Sequence, residues 1–385
     1  MKDDNISSTK EVKVPLIDLR TQYRSLRREI NSTIARILDS GIYIAGTEVK
    51  QFENELSQYT QSKYAVSTAN GTDSLILALL ACRIRPGDEV ITSPFTFFAT
   101  AEAIARVGAI PVFADIDQHT YNLSPEKAEE KITDKTKAIM PVHIFGQPAD
   151  MDAFMDLAER YRLYIIEDTC QSIGATYKGK PVGSIGHVGS VSFFPTKNLG
   201  GYGDGGAVLT NDEVMAKKVR LLSFHGMTKK YYHEIVGFNS RLDEIQAAIL
   251  RIKLKRLTEW NHLRQEKANK YSQHMKNLYF TLPYISSDVT HVFHLYVIQS
   301  KHRKELASYL YDKGIATGNY YPCPLHLQKA FSYLNYKHGD LPIAEKVSNH
   351  TIALPIYPEL TDEQQDYIIS AVFEWQNKVL KVKEG

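Results

Sequence analysis

Between residues 65 and 210 the chain alternates short apolar runs with helical patterns, and this alternation constrains the fold more than any other feature. AVST at 65–68 runs into Asn70-Gly71-Thr72 and then the helical SLILALLAC. The strand-like Glu89 to Thr92 precedes TFFATAEAIARVG, and PVFADI follows as the next strand. AIMPVHI (138–144), the helical MDAFMDLAERY and LYIIED (163–168) continue the series, which GSVSFF (189–194) and GGAVLT (205–210) close. Strands joined by crossover helices predict a mostly parallel sheet with helices on both faces.

On either side the pattern is helical. Tyr23, Leu26, Ile30, Ile34 and Leu38 recur at helical spacing, and VKQFENELSQYT reads as a second helix. Leu242 to Met275 reads as one long helical run linking two domains. HVFHLYVIQS then reads as a strand, with HRKELASYLYDKG and DEQQDYIISAVFEWQNKVL as helices. The expected organisation is a flexible polar arm over 1–13, a large α/β domain over 14–250, and a smaller α+β domain over 251–385 that includes the linking helix.

Charge and cysteine usage narrow the function. Lys and Arg total 46 against 44 Asp and Glu, so no basic surplus for phosphate-backbone binding exists, and nucleic acid is not an expected partner. The longest apolar run, Leu75 to Cys82, falls well short of the ~20 residues of a membrane span. The charged N-terminus lacks the apolar core of a signal peptide, so a cytoplasmic protein without membrane association is expected. Cys82, Cys170 and Cys323 are too widely spaced for a metal pair, and no metal site is expected. Dinucleotide, Walker-A and His-Glu-x-x-His motifs are missing.

Several residues could carry chemistry. Asp168 ends an apolar strand, where ligands bind in open α/β sheets, although an acid there could equally cap the next turn. Gln171 follows three residues later. Lys197 sits in FFPTKNLGGYGDGG, where Gly200 to Gly206 contains five glycines that permit close backbone approach. A lysine amine there could form a Schiff base and shuttle protons, or could be a surface charge on a flexible loop. The Gly71-Thr72 turn could cradle a phosphate on backbone amides, with Ser192 adding a hydroxyl. Phe97 could cover a planar cofactor or pack in the core.

The ordered set NGTDSL, PFTFFATAEAI, PVHIFGQPADM, IEDTCQSIGA, SFFPTKNLGGYGDGGAV and GFNSRLDEIQAAIL resembles the DegT/DnrJ/EryC1/StrS sugar aminotransferases from about residue 14 to the 370s. The resemblance implies the aspartate-aminotransferase-like fold, fold type I, with pyridoxal 5'-phosphate (PLP) as cofactor. It makes Lys197 the lysine that links to the cofactor and Asp168 the acid on the pyridinium nitrogen. Gln171 becomes the partner of the 3-hydroxyl, and Phe97 the ring stacked on the pyridine. Gly71, Thr72 and Ser192 take phosphate positions, and Asn239 the position that reaches the phosphate from a neighbouring subunit, which implies a homodimer with shared sites. Thr169-Cys170 and Phe194 depart from the commoner two alanines and tyrosine, and Cys170 is expected to pack rather than to attack. Relatives with histidine at the lysine position are dehydratases, and Lys197 argues against that branch.

The resemblance further implies transfer of an amino group from L-glutamate to a nucleotide-linked keto-deoxysugar. VPLIDLRTQY, FFPTKNLG and GFNSRLDEIQAA point to C3 of a dTDP-3-keto-6-deoxyhexose, with UDP-linked 3-keto sugars and C4 amination as alternatives. HGMTKKYYHEIVGFNSR reads as a mobile loop near the sugar. Tyr231, Tyr232, His233 and Arg241 are candidate substrate contacts or simply loop surface and dimer packing, and His326 is a further candidate. A cofactor-binding regulator and a structural protein are the competing classes, and an intact Lys197 and Asp168 disfavour both.

Overall fold

The computed structural model describes residues 12–384, the last six as backbone only. Its centre is a seven-stranded sheet in the order Tyr64–Thr68, Gly206–Thr210, Val188–Ser192, Tyr164–Asp168, Thr136–Met140, Glu89–Thr92, Ile110–Phe113. Every neighbouring pair is parallel except those of Gly206–Thr210, which runs against both of its neighbours. The sheet is therefore mixed and mostly parallel, as the alternating pattern predicts. Buried side chains fill both faces. Leu75, Leu79, Ile104 and Val208 belong to one cluster, and Ile91, Phe154, Ile165 and Ala175 to another. Such two-sided burial explains why the strands read as apolar runs rather than as alternation.

This topology gathers chemistry at one edge. The parallel strands end there at Thr68, Thr92, Asp168 and Ser192, and the antiparallel strand begins there at Gly206. Asp204 and the glycine-rich turn consequently arrive on the same side as Asp168, where crevices form in open α/β sheets.

A further hydrophobic cluster lies in the C-terminal part. The antiparallel pair Tyr296–Gln299 and Thr351–Leu354 packs with helices Arg303–Asp312 and Asp362–Glu384. Val14, placed by the sequence reading in the larger unit, pairs with Ile315 and packs into this C-terminal cluster. The arm expected over 1–13 lies outside the described residues except for Val12 and Lys13, and Lys13 donates its N–H to the Gly314 carbonyl at 2.9 Å.

Two further expectations are corrected. The run from Leu242 to Met275 is two helices, Glu244–Leu254 and Leu257–Met275. Leu254 and Leu257 both enter the same core cluster, so the chain turns at Lys255-Arg256 around two buried leucines. Neither residue breaks helical periodicity, which leaves the turn without a mark in the sequence. In the first helix, Leu19–Ser40, the buried positions are Leu26, Ile30 and Ile37, whereas Leu38 is exposed.

Candidate active site

A cavity of about 560 Å³ opens at the carboxyl edge of the sheet. Gly71, Thr72, Phe97, Asp168, Gln171, Ser192 and Lys197 all line it. Seven residues spread over more than a hundred positions thus converge because their strands end at one edge.

Asp168 is 4% exposed, and both carboxylate oxygens are engaged. Thr100 Oγ1 donates to Oδ2 at 2.8 Å and the Cys170 N–H donates to Oδ1 at 3.1 Å. These bonds fix the plane of the carboxylate. The neighbouring Glu167 points to the opposite face, where it accepts from the Gly183, Ile185 and Gly186 amides and from His143 Nε2 at 3.0 Å. Its partner nitrogen Nδ1 accepts from the Ala149 N–H, so Nε2 carries the proton. Adjacent carboxylates therefore divide their work, Glu167 holding a turn and Asp168 facing the cavity.

Lys197 follows the strand Val188–Ser192 and faces the same space. Burial holds its ammonium below the usual lysine range, while Cys170 and Asp168 act in the opposite direction. A lowered lysine is a better nucleophile and base near neutral pH. Burial and the nearby Asp168 push the Cys170 thiol well above its ordinary range, which keeps it protonated and unreactive. That agrees with the packing role expected for Cys170.

The opposite wall is the start of helix Gly71–Ala81. The Asn70 side chain accepts from the Asp73 N–H at 2.8 Å and caps the helix. The first amides of a helix have no partner within it, and those of Gly71 and Thr72 stand at the cavity. A Cβ on Gly71 would lie 2.7 Å from the Ser192 Cβ, so glycine lets the helix start press against the strand end. Ser192 Oγ accepts the Phe194 N–H at 3.3 Å and retains its own proton for a ligand. Phe97 is 58% exposed, with an open ring at the cavity mouth.

Gln171 is more committed than its sequence position indicates. Its Oε1 accepts the Phe145 N–H at 2.9 Å, and its Nε2 donates to the Tyr321 hydroxyl at 2.9 Å. One N–H of the carboxamide remains for a ligand. Thr100, Asp204, His294, Tyr320 and Tyr321 also line the cavity and escaped the sequence reading. Burial, with Lys197 and Arg264 adding to it, holds the His294 imidazole well below its ordinary range, and its buried Nδ1 has no partner. These residues share no short motif with Lys197. Tyr321 lies 150 positions from the glutamine it touches.

The remaining candidates lie elsewhere in this chain. Tyr231, Tyr232 and His233 occupy a hairpin, Met227–Lys229 paired with Tyr232–His233, outside the cavity. Tyr231 is 80% exposed, and His233 Nδ1 donates to the His225 carbonyl at 2.9 Å. Asn239 is exposed, although Ser240 beside it accepts the Ala69 N–H at 3.1 Å, next to the Asn70-Gly71 turn. Arg241 stacks over Phe224, 4.7 Å from the ring centroid. His326 is corrected: it is buried, Nε2 lies 3.1 Å from Glu345, and its ring packs against Tyr336. The turn that carries it folds inward, so it does not line the cavity, and its buried Nδ1 has no partner. Among the described residues no cluster of metal-ligating groups occurs, and no helix is long and apolar enough to cross a membrane.

The model of the DegT/DnrJ/EryC1/StrS aminotransferase family matches residues 24–373. The chain belongs to this family. Among curated relatives, the "pleiotropic regulatory protein" of Geobacillus stearothermophilus is 47% identical, covering 94% of this chain and 98% of its own. The UDP-N-acetyl-3-dehydro-α-D-glucosamine 3-aminotransferase of Acidithiobacillus ferrooxidans is 44% identical over 92% and 96%. The dTDP-3-amino-3,6-dideoxy-α-D-galactopyranose transaminase of Aneurinibacillus thermoaerophilus is 44% identical over 93% and 98%. The solved structure of DesV from S. venezuelae with a ketimine intermediate superposes with a TM-score of 0.93, at 43% identity, covering 94% of this chain and 98% of that one. NtdA from Bacillus subtilis with bound cofactor PMP gives 0.89, at 35% identity over 96% and 86%.

The family's cofactor fits the residues present. A lysine amine, a fixed carboxylate, uncommitted helix-start amides, a serine hydroxyl and an open aromatic ring are the groups that PLP needs. The unpartnered His294 Nδ1 marks a polar position in the cavity that the chain itself does not satisfy.

Proposed function

We propose that this protein is a PLP-dependent aminotransferase that moves an amino group from L-glutamate to C3 of a dTDP-3-keto-6-deoxyhexose. Nucleotide-sugar amination is the family's chemistry, and the observation that carries the reading is the convergence of Lys197 and Asp168 in one cavity. The C3 and dTDP choices rest on the resemblance of the N-terminal and lysine segments and on the Aneurinibacillus relative's name. The glutamate donor rests on the resemblance alone.

When bound, PLP supplies an aldehyde that takes up amines covalently and a ring that draws electrons from the adjacent C–H bond. This chain supplies the rest. Lys197 would hold the cofactor by its Nζ and, once released, accept a proton on that atom and return it to a neighbouring carbon. Burial keeps the amine available in its neutral form. Asp168 would hold a cationic ring nitrogen, its geometry set by Thr100 and the Cys170 amide. Gly71, Thr72 and Ser192 would hold a phosphate at the helix start, and Phe97 would cover the ring. Gln171 would offer its free N–H to the ring hydroxyl.

Asn239, Arg241 and the hairpin with Tyr231, Tyr232 and His233 would complete the site of a second copy, making a homodimer with shared sites in the cytoplasm. Exposure of Tyr231, Tyr232, Val236 and Phe238 supports that role, because these side chains have little cover in one chain. A UDP-linked 3-keto sugar is the second reading, favoured by the Acidithiobacillus relative's name. The Geobacillus relative's name keeps a regulator in view, and the intact lysine and acid weigh against it.

The test is incubation of purified protein with glutamate and a panel of dTDP- and UDP-linked 3-keto and 4-keto sugars, with the aminated carbon read by NMR. Amination at C3 of a dTDP-3-keto-6-deoxyhexose supports the reading. Acceptance of 4-keto substrates alone, or of UDP sugars alone, overturns the finer assignment. PLP binding without amination of any sugar would leave the regulator.

A further inference from the structure

The inner face of helix Leu257–Met275 is a buried stripe at helical spacing, with Leu257, Trp260, Ala268, Tyr271 and Met275 packed as expected. Two polar residues interrupt it. Asn261 and Arg264 are 5% and 3% exposed, three residues apart and so on the same side of the helix. Burying such groups costs free energy unless each polar atom finds a partner, so their bonds define what the stripe is for.

Asn261 bridges two segments of the candidate site. Its Oδ1 accepts from Asn198 Nδ2 at 2.8 Å, and Asn198 directly follows Lys197. Its Nδ2 donates to the Ile173 carbonyl at 3.1 Å, two residues beyond Gln171. Asn198 Nδ2 also donates to the Val292 carbonyl at 3.0 Å, tying the lysine segment to the strand entry that leads to His294. The Gln171 turn is shaped around this carboxamide. Gly174 has a φ of +87°, and a Cβ there would lie 2.5 Å from Asn261 Nδ2. One turn along, Arg264 donates to the carbonyls of Phe293 at 3.1 Å and Ile356 at 2.9 Å, and Ile356 is a cavity wall.

We infer that Asn261 is a positioning residue for Lys197, setting the separation of the lysine segment from the Asp168–Gln171 segment through Asn198 and Ile173. It does not line the cavity. Its carboxamide is a fixed spacer, donor on one side and acceptor on the other, that no apolar side chain in the stripe could replace. The inference rests on the proposal that Lys197 carries PLP.

The test compares PLP-loaded wild type with Asn261→Leu, Asn198→Ala, the double variant and Gln265→Ala. Gln265 lies on the same helix and donates to the His291 carbonyl at 2.9 Å, so its variant removes a helix-to-loop bond that does not reach Lys197. The readouts are the pH midpoint at which the visible cofactor band titrates, and kcat and KM with glutamate. Asn261→Leu and Asn198→Ala are expected to move the midpoint in the same direction and to lower kcat on the order of 10- to 100-fold. The double variant should fall short of the sum of the two single effects, because both remove the Asn198–Asn261 bond. Gln265→Ala should leave the midpoint where it is. An unchanged midpoint in Asn198→Ala, or an equal shift in Gln265→Ala, overturns the inference, and Asn198→Ala decides it even if Asn261→Leu does not fold. A wild type with no cofactor band overturns the function beneath it instead, a result separable from the first two.

Discussion

The cavity around Lys197 and the hairpin around Tyr231 are built on opposite terms. In the cavity the key polar side chains are held by other parts of the chain: Asp168 by Thr100, and Gln171 by Phe145 and Tyr321, while Asn198, next to Lys197, is held by Asn261. The hairpin presents Tyr231 at 80% and Val236 at 95% exposure, with Lys230 over the Tyr231 ring and Lys229 over the Tyr232 ring. The difference teaches that the cavity is organised within one copy of this chain, while the hairpin leaves its large side chains open to solvent. Rigid donors aimed at fixed positions are what catalysis requires, whereas recognition tolerates loops that settle on binding.

The largest expected effect tests the rigid half. Lys197→Ala should abolish the visible cofactor band and lower transamination by at least ~10³-fold, since it removes both the attachment and the proton carrier. Asp168→Asn removes the buried carboxylate and should lower kcat on the order of 10²- to 10³-fold, with cofactor still attached. Steady-state kinetics and absorbance spectra read both. Equal loss from Tyr231→Ala would break the comparison.

Acid–base behaviour sharpens it next. A lysine whose range is lowered by burial loses its proton as pH rises through a midpoint below 10.5. Only the neutral amine attacks an aldehyde, so stopped-flow capture of PLP by the apoprotein should speed up with pH and level off before an ordinary lysine would. A rate still climbing through 10.5 would contradict the burial argument.

The smallest effects belong to the exposed half. Tyr231→Ala and Tyr232→Ala should raise the sugar KM by less than ~10-fold, leave the cofactor spectrum unchanged and alter stability by within about 0.5 kcal/mol. His326→Ala should do the reverse, lowering stability by about 1–3 kcal/mol through the loss of a buried ring packed on Tyr336 and of one of the bonds to Glu345, and leaving KM alone. Thermal melts beside kinetics distinguish the two. A raised sugar KM in His326→Ala would return that histidine to the ligand site.

Much of this was legible in the sequence for physical reasons. Strand ends in a parallel sheet share an edge, so Asp168, Ser192 and the Gly71 turn each stood out as candidates, and the family resemblance joined them into one site. Glycine density marked the Lys197 turn. What stayed hidden depends on tertiary contact. Thr100 reads as one more residue in an alanine-rich helix, and Asn261 as a polar position in a helix with many. His326, in a proline-flanked turn, looks exposed until the fold places Glu345 beneath it. The turn at Lys255-Arg256 carries no proline or glycine, so periodicity ran straight through it.

The central claim is that Lys197 is the residue that holds PLP. Borohydride reduction of the PLP-loaded protein, followed by proteolysis and peptide mass mapping, tests it directly. The account requires a single phosphopyridoxyl adduct, on the peptide that contains Lys197, and its loss in Lys197→Ala. An adduct on another lysine, or none in a protein saturated with PLP, would contradict it.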